Sequence, residues 1–299
     1  MQKVVYTTVS VFLFAVMRIL PISVASNVAA FVFKPLARVF FNVRVIDANL
    51  RLAFPEFEKS SRKKITLELV ANFGRSIVEI VNLPKFASGA QGTSISAKGH
   101  LDLPFSENNQ AIYVSAHLGN WELLPLIFAR RPRRLNIIYT TLGHAVVHNK
   151  LMSLRRTTGS EYIEKTDALR SCLSAMQNGE SVAMLIDQRV ERGIVAKFFG
   201  RETKFTRLPA RLSLKFGRPI IFVEAIRVSS REHDFYFHEP IWPNGSDRSS
   251  IEQQMTQKIV TQIEGAIRRR PTDWFCNKRR WKRPKKVDDT AESSLAVAM

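Results

Sequence analysis

The chain has 299 residues, of which 45% are hydrophobic, and it carries a formal net charge of +19. The hydrophobic content excludes a chain that is disordered throughout, and the two cysteines, Cys172 and Cys276, are too few and too far apart for a disulfide framework or a zinc site. The charge, from 45 basic and 26 acidic residues, indicates an anionic partner such as nucleic acid, acidic lipid, a phosphorylated substrate or an acidic protein.

The N-terminal segment is apolar. Residues 4–17 carry no charge, but they are fewer than the roughly 20 residues that span a bilayer as a helix, and Arg18 interrupts the run. A second apolar stretch, residues 28–41, holds Lys34 and Arg38 four residues apart. We expect a helix in the membrane interface, with Arg18, Lys34 and Arg38 at the lipid headgroups. The alternatives are a longer span with Arg18 at the surface, a cleaved signal peptide, and an amphipathic helix that caps the domain.

After a loop-like stretch at residues 47–56, the helical spacing of apolar side chains predicts a long helix over residues 60–81. Short apolar runs then alternate with amphipathic stretches, which is typical of a layered α/β domain. We expect a membrane-anchoring segment at 1–42, a folded domain at 43–284 and a mobile tail at 285–299. The predicted strands are 111–115, 135–140, 182–186 and 219–226, and the later helices are 121–130, 145–157, 167–178, 207–216 and 250–269.

The strand at 111–115 leads into Ser-Ala-His-Leu-Gly-Asn-Trp-Glu, residues 115–122. His117 and Glu122 would lie about 140° apart on a single helix, so they can meet only if the chain turns between them. Gly119 and Asn120 supply residues suited to such a turn. A carboxylate on one imidazole nitrogen leaves the other nitrogen free to take a proton. The alternative is an ordinary loop histidine followed by a glutamate that the helix dipole favours.

Three further clusters each have more than one interpretation. Asp187, Gln188 and Arg189 follow an apolar strand, where ligands gather in α/β sheets, so they could orient a polar substrate; alternatively, an Asp–Arg pair stabilises a turn. Four arginines lie within residues 130–134, and ten Lys and Arg residues lie among aromatics in 268–286. Such clusters can bind single-stranded nucleic acid or an anionic membrane, and for Lys285 and Lys286 the alternative is a basic face that is merely solvated. The apolar N-terminus favours the membrane, and we expect no nucleic-acid partner.

Together these motifs resemble the lipid A late acyltransferase family, the lauroyl and myristoyl transferases of Gram-negative outer-membrane synthesis. That family lies within the wider glycerolipid acyltransferase group, which is marked by His-x4-Asp/Glu. The matching motifs are Asn-Leu-Arg-Leu-Ala-Phe-Pro-Glu at 49–56, Asn-Phe-Gly-Arg-Ser at 72–76 with Glu79, His-Leu-Gly-Asn-Trp-Glu at 117–122, Arg155-Arg156 before Gly159, Asp187-Gln188-Arg189, Phe198-Phe199-Gly200, Leu-Pro-Ala-Arg-Leu at 208–212 and Arg-Arg-Trp-Lys at 279–282.

The resemblance implies a mixed central sheet flanked by helices. It also implies transfer of a fatty acyl chain from acyl carrier protein to a hydroxyl of a phosphorylated, Kdo-bearing glycolipid at the cytoplasmic face of the bacterial inner membrane. Acyl-CoA is the alternative donor, and no cofactor or metal is implied. A lysophospholipid or phosphatidylinositol mannoside acyltransferase is the nearest alternative. A non-catalytic basic protein that binds membrane or nucleic acid, and a hydrolase, are the more distant ones.

The resemblance also assigns roles to residues. It makes His117 the general base and Glu122 the residue that orients it, with no acyl-enzyme intermediate. It also places oxyanion donors among the backbone amides near Gly119 and Asn120. Substrate-binding roles fall to Asn120, Asp187, Gln188, Arg156 and Arg189, the two arginines being suited to phosphates. The family pattern further predicts a Trp at 276 and a His at 278, where this chain has Cys276 and Lys278.

Overall fold

The structure is a computed structural model that describes residues 14–106, 110–129, 134–141 and 145–282. Nine strands are present in these ranges. They are Ser94–Gly99 (β1), Ile112–Ser115 (β2), Leu135–Tyr139 (β3), Glu161–Glu164 (β4), Ser181–Leu185 (β5), Ile194–Phe198 (β6), Arg201–Phe205 (β7), Ile220–Arg227 (β8) and Glu232–Phe237 (β9).

The α-helices connect these strands and precede them. They are Ile22–Phe33 (α1), Ala37–Phe40 (α2), Val43–Ala53 (α3), Lys59–Val81 (α4), Leu83–Ser88 (α5), Asp102–Phe105 (α6), Pro125–Phe128 (α7), Ala145–Arg155 (α8), Ala168–Gln177 (α9), Leu208–Phe216 (α10) and Arg248–Arg269 (α11). Short 3₁₀ turns occur between them, among others at Trp121–Leu123, Arg156–Thr158 and Pro271–Asp273.

Seven strands form one mixed sheet in the order β1-β9-β8-β2-β5-β3-β4, while β6 and β7 pair antiparallel with each other. Strand β2 runs parallel to both of its neighbours, β5 and β8, and all four of its residues are buried. Its side chains alternate between two hydrophobic clusters, with Ile112 and Val114 in one and Tyr113 in the other. Helices therefore cover both faces of the sheet, which confirms the expected mixed α/β fold with a central sheet flanked by helices.

The predicted central strands and the longer helices are confirmed within a few residues, whereas several polar elements were missed. Strands β1, β4, β7 and β9 carry too many polar residues to be recognised from apolar runs, whereas β6, Ile-Val-Ala-Lys-Phe, is largely apolar and was nevertheless missed. The helix predicted at 121–130 is a 3₁₀ turn followed by the four-residue α7, which has Pro125 at its start. The loop predicted at 47–56 is wrong over most of its length, because residues 43–53 form α3.

The part of the N-terminal segment that the structure describes, from residue 14 onwards, packs on the folded domain. Helix α1 lies against α4 so closely that a Cβ on Gly74 would meet the Phe33 ring at 3.0 Å. The chain bends at Pro35, so Lys34 and Arg38 do not share one helix, and Lys34 forms an ion pair with Glu68 at 2.7 Å. This corrects the expectation that one interfacial helix carries both Lys34 and Arg38.

None of the helices in the described part of the chain combines the length and the apolar character that a membrane span requires. Most of the first apolar run, residues 4–13, lies outside the described ranges, as do Arg130 to Arg133 of the first basic cluster and the tail at 285–299. The division of the chain into an anchoring segment, a catalytic domain and a tail stays a prediction.

Candidate active site

Two of the predicted site residues meet at one edge of the sheet. Strands β2 and β5 are parallel neighbours, with Ser115 paired to Leu185, so their carboxyl ends reach the same edge. His117 follows β2, Asp187 follows β5, and His117 Nδ1 lies 2.7 Å from Asp187 Oδ1. The sheet register therefore builds a histidine–carboxylate pair from residues that are 70 positions apart in the chain.

Asp187 is a buried carboxylate whose two oxygens both have partners. Its side chain is 3% exposed, and Trp274 Nε1 donates a hydrogen bond to Oδ2 at 3.1 Å. Burial alone would raise the pKa of this carboxyl, but the charge and hydrogen bond of His117 and the bond from Trp274 hold the pKa below its ordinary value. An ionised carboxylate here keeps the proton of the neutral imidazole on Nδ1 and stabilises the imidazolium that forms when Nε2 takes a proton.

The other imidazole nitrogen faces a glutamine. His117 Nε2 lies 3.2 Å from Gln188 Nε2, and Lys278 Nζ donates to Gln188 Oε1 at 3.3 Å. A lysine ammonium only donates, so the glutamine must turn its oxygen to Lys278 and its amino group to the imidazole. Nε2 is then a hydrogen-bond acceptor, which is the state that a general base needs.

The predicted contact between His117 and Glu122 is wrong. Glu122 instead accepts two hydrogen bonds from the Arg155 guanidinium, at 2.9 and 2.6 Å, and both side chains are about one-tenth exposed. The Arg155 guanidinium also lies over the rings of Tyr139 and Tyr162. A buried carboxylate requires a partner, and Arg155 satisfies this one, so Asp187 and not Glu122 bonds the imidazole.

Asn120 and Asp187 do not have the substrate-binding positions expected of them. Asn120 is 1% exposed; its Oδ1 accepts the backbone N–H of Glu122, and its Nδ2 donates to Glu79 at 2.8 Å. Asp187 is committed to His117 and Trp274. Both side chains hold other groups in place, which is a consequence of their burial.

The backbone of the turn at Gly119 is closely packed and hydrogen-bonded to other parts of the chain. Gly119 has φ +53°, and a Cβ there would lie 2.5 Å from the Ala225 carbonyl oxygen, so only glycine fits. Its N–H donates to the Asp273 carbonyl at 3.2 Å, and the Phe275 N–H donates to the His117 carbonyl at 2.8 Å. The C-terminal segment therefore occupies the Gly119 amide, which corrects the expectation that this amide is free for an oxyanion.

A network of buried charged side chains adjoins this turn, and the sequence did not predict it. Glu79 on α4 is 0% exposed, accepts hydrogen bonds from Arg227 at 2.6 Å and Asn120 at 2.8 Å, and lies 3.3 Å from His233 Nε2. Burial alone would raise the pKa of Glu79, but Arg227 and His233 lower it to about 2. Through Asn120, the network ties α4 and β8 to the turn that follows His117. Its one sequence signal was the position of Glu79 beside the Asn-Phe-Gly-Arg-Ser motif.

Removing the charge of Glu79 is expected to destabilise the fold. Glu79→Gln leaves the Arg227 guanidinium buried without its counter-ion, which costs about 3–5 kcal/mol of unfolding free energy near neutral pH. Folding lowers the pKa of Glu79 from 4.5 to about 2. The extra unfolding free energy of the wild type is therefore fully present above pH 4.5 and is lost as the pH falls towards 2. Urea unfolding of both proteins at several pH values measures the difference in their unfolding free energies.

The matched control is Glu161→Gln. Glu161 pairs with Arg134 at 3.0 Å, but these side chains are 58% and 64% exposed, so the loss should stay below about 1 kcal/mol. An unfolding free-energy difference for Glu79→Gln that does not narrow on acidification would contradict the assignment of this network.

A second long-range anchor fixes the segment that carries Lys278. Asn49 on α3 donates to the carbonyls of Cys276 and Lys278, both at 2.8 Å, and accepts the Arg280 N–H at 3.0 Å. Burial strongly raises the pKa of the Cys276 thiol, so this residue is unsuited to act as a nucleophile. The segment therefore contributes the Lys278 side chain and backbone hydrogen bonds to the site.

The two arginines predicted for phosphate recognition lie at the surface or near it. Arg156 is exposed on the 3₁₀ turn that follows α8. Arg189 is 23% exposed and forms an ion pair with Glu191 on the same loop. Their contact with a phosphorylated substrate stays a prediction, and for Arg189 it requires exchange of the Glu191 carboxylate for phosphate.

Comparison with known proteins gives one family match. The family model described as bacterial lipid A biosynthesis acyltransferase matches residues 1–283. Among solved structures, the chain is similar to the 1-acyl-sn-glycerophosphate (LPA) acyltransferase PlsC from Thermotoga maritima, with 14% identity and a TM-score of 0.39 over 81% of this chain and 97% of that one. No curated protein gives a significant match.

Proposed function

Because the chain belongs to the bacterial lipid A biosynthesis acyltransferase family and is therefore an O-acyltransferase, we propose that it moves a fatty acyl chain from acyl carrier protein to a hydroxyl of a Kdo-bearing lipid A precursor. The observation that carries the mechanism is the His117–Asp187 hydrogen bond of 2.7 Å, with Nε2 left as an acceptor. The pair replaces the His117–Glu122 dyad that the sequence predicted.

The chemistry uses the imidazole as a base and then as an acid. His117 Nε2 removes the proton of the acceptor hydroxyl while its oxygen attacks the thioester carbonyl carbon. The tetrahedral intermediate then expels the thiolate of the carrier, which takes the proton from the imidazolium. An ester and a free thiol result, the net charge is unchanged, and no acyl-enzyme forms.

Gln188 must move for this reaction to proceed. In the resting structure its amino group occupies the position at His117 Nε2 that the acceptor hydroxyl needs. Once displaced, the amide can turn its N–H groups to the carbonyl oxygen of the thioester, and Lys278 can add its positive charge there. These donors would replace the Gly119 amide, which Asp273 occupies.

The surroundings suit an anionic carrier and a phosphorylated lipid. Lys278 and Lys282 are exposed, and Lys204 donates to the Glu191 carbonyl at 3.1 Å on the loop that begins with Asp187. A basic rim of this kind attracts acidic acyl carrier protein and acceptor phosphates. With the exposed apolar side chains of α1, it also supports a position at the cytoplasmic face of the bacterial inner membrane.

The proposal is tested by acyl transfer with detergent-solubilised protein. We expect transfer from labelled acyl carrier protein to a tetra-acylated, phosphorylated, Kdo-bearing precursor, and at least tenfold lower kcat/KM with acyl-CoA. Transfer to a lysophospholipid or a phosphatidylinositol mannoside, but not to the lipid A precursor, would replace the proposed acceptor. The absence of transfer with every donor and acceptor would overturn the reaction itself.

A further inference from the structure

A row of aromatic rings begins at the proposed catalytic base. Trp121 lies edge-on to the His117 ring, with centroids 4.7 Å apart. Phe275 is roughly parallel to Trp121 at 6.5 Å, and Phe73 stacks on Phe275 at 4.4 Å. The Phe275 N–H donates to the His117 carbonyl, so the position of this ring is fixed relative to the base.

The row continues into the N-terminal segment. Phe41 lies 5.2 Å from Phe73, and Phe33 on α1 lies 6.3 Å from both Phe41 and Phe73. Each of the five rings is partly buried, so each keeps some of its surface accessible. We call this set the aromatic strip, and its members, in order from the base, are Trp121, Phe275, Phe73, Phe41 and Phe33.

Exposed apolar side chains lie on the segment that carries the far end of the aromatic strip. Ile19 and Phe31 are each 79% exposed, Val39 is 73% exposed and Val28 is 50% exposed. All four lie in or beside α1 and α2, the elements that carry Phe33 and precede Phe41. Such a cluster is unusual for a surface in contact with water and suits contact with lipid. Ring contacts between partly buried side chains therefore connect α1 to His117.

We propose that the aromatic strip binds the fatty acyl chain that is being transferred. This inference rests on the proposed function and adds the location of the chain to it. Every methylene left in water is unfavourable, so an acyl chain needs apolar cover that begins where its carbonyl reacts. The aromatic strip begins at the imidazole ring, whereas Gln188 and Lys278 make the environment of Nε2 polar.

The order of the rings makes the proposal specific. Trp121 and Phe275 would contact the first carbons of every acyl chain, while Phe41 and Phe33 would contact only the distal carbons of long chains. The acceptor lipid does not require this arrangement, because only the chain on the reacting carbonyl must begin beside His117. Substitutions at the distal rings, Phe41 and Phe33, should therefore impair the transfer of long acyl chains more than that of short ones. Substitutions at the proximal rings, Trp121 and Phe275, should impair both.

The binding site is tested with a photoreactive chain on a protein that cannot complete transfer. His117→Ala protein is irradiated with acyl carrier protein bearing a dodecanoyl thioester with a terminal diazirine, and labelled peptides are mapped by mass spectrometry. We expect labels on peptides that contain Phe41, Phe73 or Phe275. Labels confined to other segments, or no labelling at all, would overturn the proposal. Labelling of the aromatic strip without transfer by wild type would overturn the proposed function alone.

A pair of variants tests the chain-length dependence. We expect Phe41→Ala to lower kcat/KM for a long-chain donor about tenfold more than for a short-chain donor, since only the long chain loses apolar contact. The control is Phe57→Ala, because Phe57 is likewise partly buried but stacks on Phe54 at 4.7 Å, outside the aromatic strip. This control should affect both donors equally. Equal effects of Phe41→Ala on both donors would contradict the proposal.

Discussion

Replacement of His117 by Ala is expected to lower kcat/KM for acyl transfer by about 10²–10⁴-fold, the range that a positioned general base contributes. An alkyl hydroxyl is a weak nucleophile until its proton is taken during attack, and His117 Nε2 is the acceptor placed for this. The substrate contacts away from the imidazole remain, so KM should change much less than kcat. Initial rates over a range of acceptor concentrations separate the two constants.

A loss of folding could imitate this result, because His117 is the partner of a buried carboxylate. His117→Gln is the matched variant, since its amide can still donate a hydrogen bond to Asp187 but is not a base at neutral pH. Both variants should be inactive, and His117→Gln should retain more of the wild-type unfolding free energy. Transfer by either variant at the wild-type rate would remove His117 from the chemistry.

The parts of the site that lie close together in sequence were the easiest to predict and the easiest to misassign. The strand before His117 and the strand before Asp187 were both predicted, as was their position at the carboxyl edge of a sheet. The pairing of β2 with β5 joins strands that are far apart in the chain, so no local sequence pattern predicts it. Without it, Glu122 was the nearest carboxylate in sequence and took the role that Asp187 has.

Longer-range contacts explain most of what the sequence could not show. Asn49 contacts residues more than 200 positions away, and Glu79 bonds Arg227 across 148 positions. Both lie on helices whose periodicity identifies a buried face but not the partner of a polar residue on it. The same limit applies to Lys34, whose ion pair with Glu68 depends on how α1 packs on α4.

Exchange of Asp187 for Asn is the second change with a large expected effect, a fall in kcat of about 10²–10⁴-fold with little change in KM. An asparagine amide can donate to Nδ1, which would move the imidazole proton to Nε2 and remove the acceptor that the hydroxyl needs. It also lacks the charge that stabilises the imidazolium. The tautomer change should be visible in the ¹⁵N chemical shifts of His117.

The Glu122→Gln variant distinguishes the role of Glu122 from that of Asp187. It leaves Arg155 buried without its counter-ion, so we expect a loss of about 3–5 kcal/mol of unfolding free energy and a weaker effect on the tautomer of His117 than Asp187→Asn has. Part of the lost stability should return in Glu122→Gln combined with Arg155→Met, because the second change removes the unpaired charge. If Glu122→Gln instead shifted the His117 ¹⁵N signals as Asp187→Asn does, while stability was unchanged, the imidazole would depend on Glu122 in solution. The His117–Asp187 pair would then have to be abandoned as the basis of the mechanism.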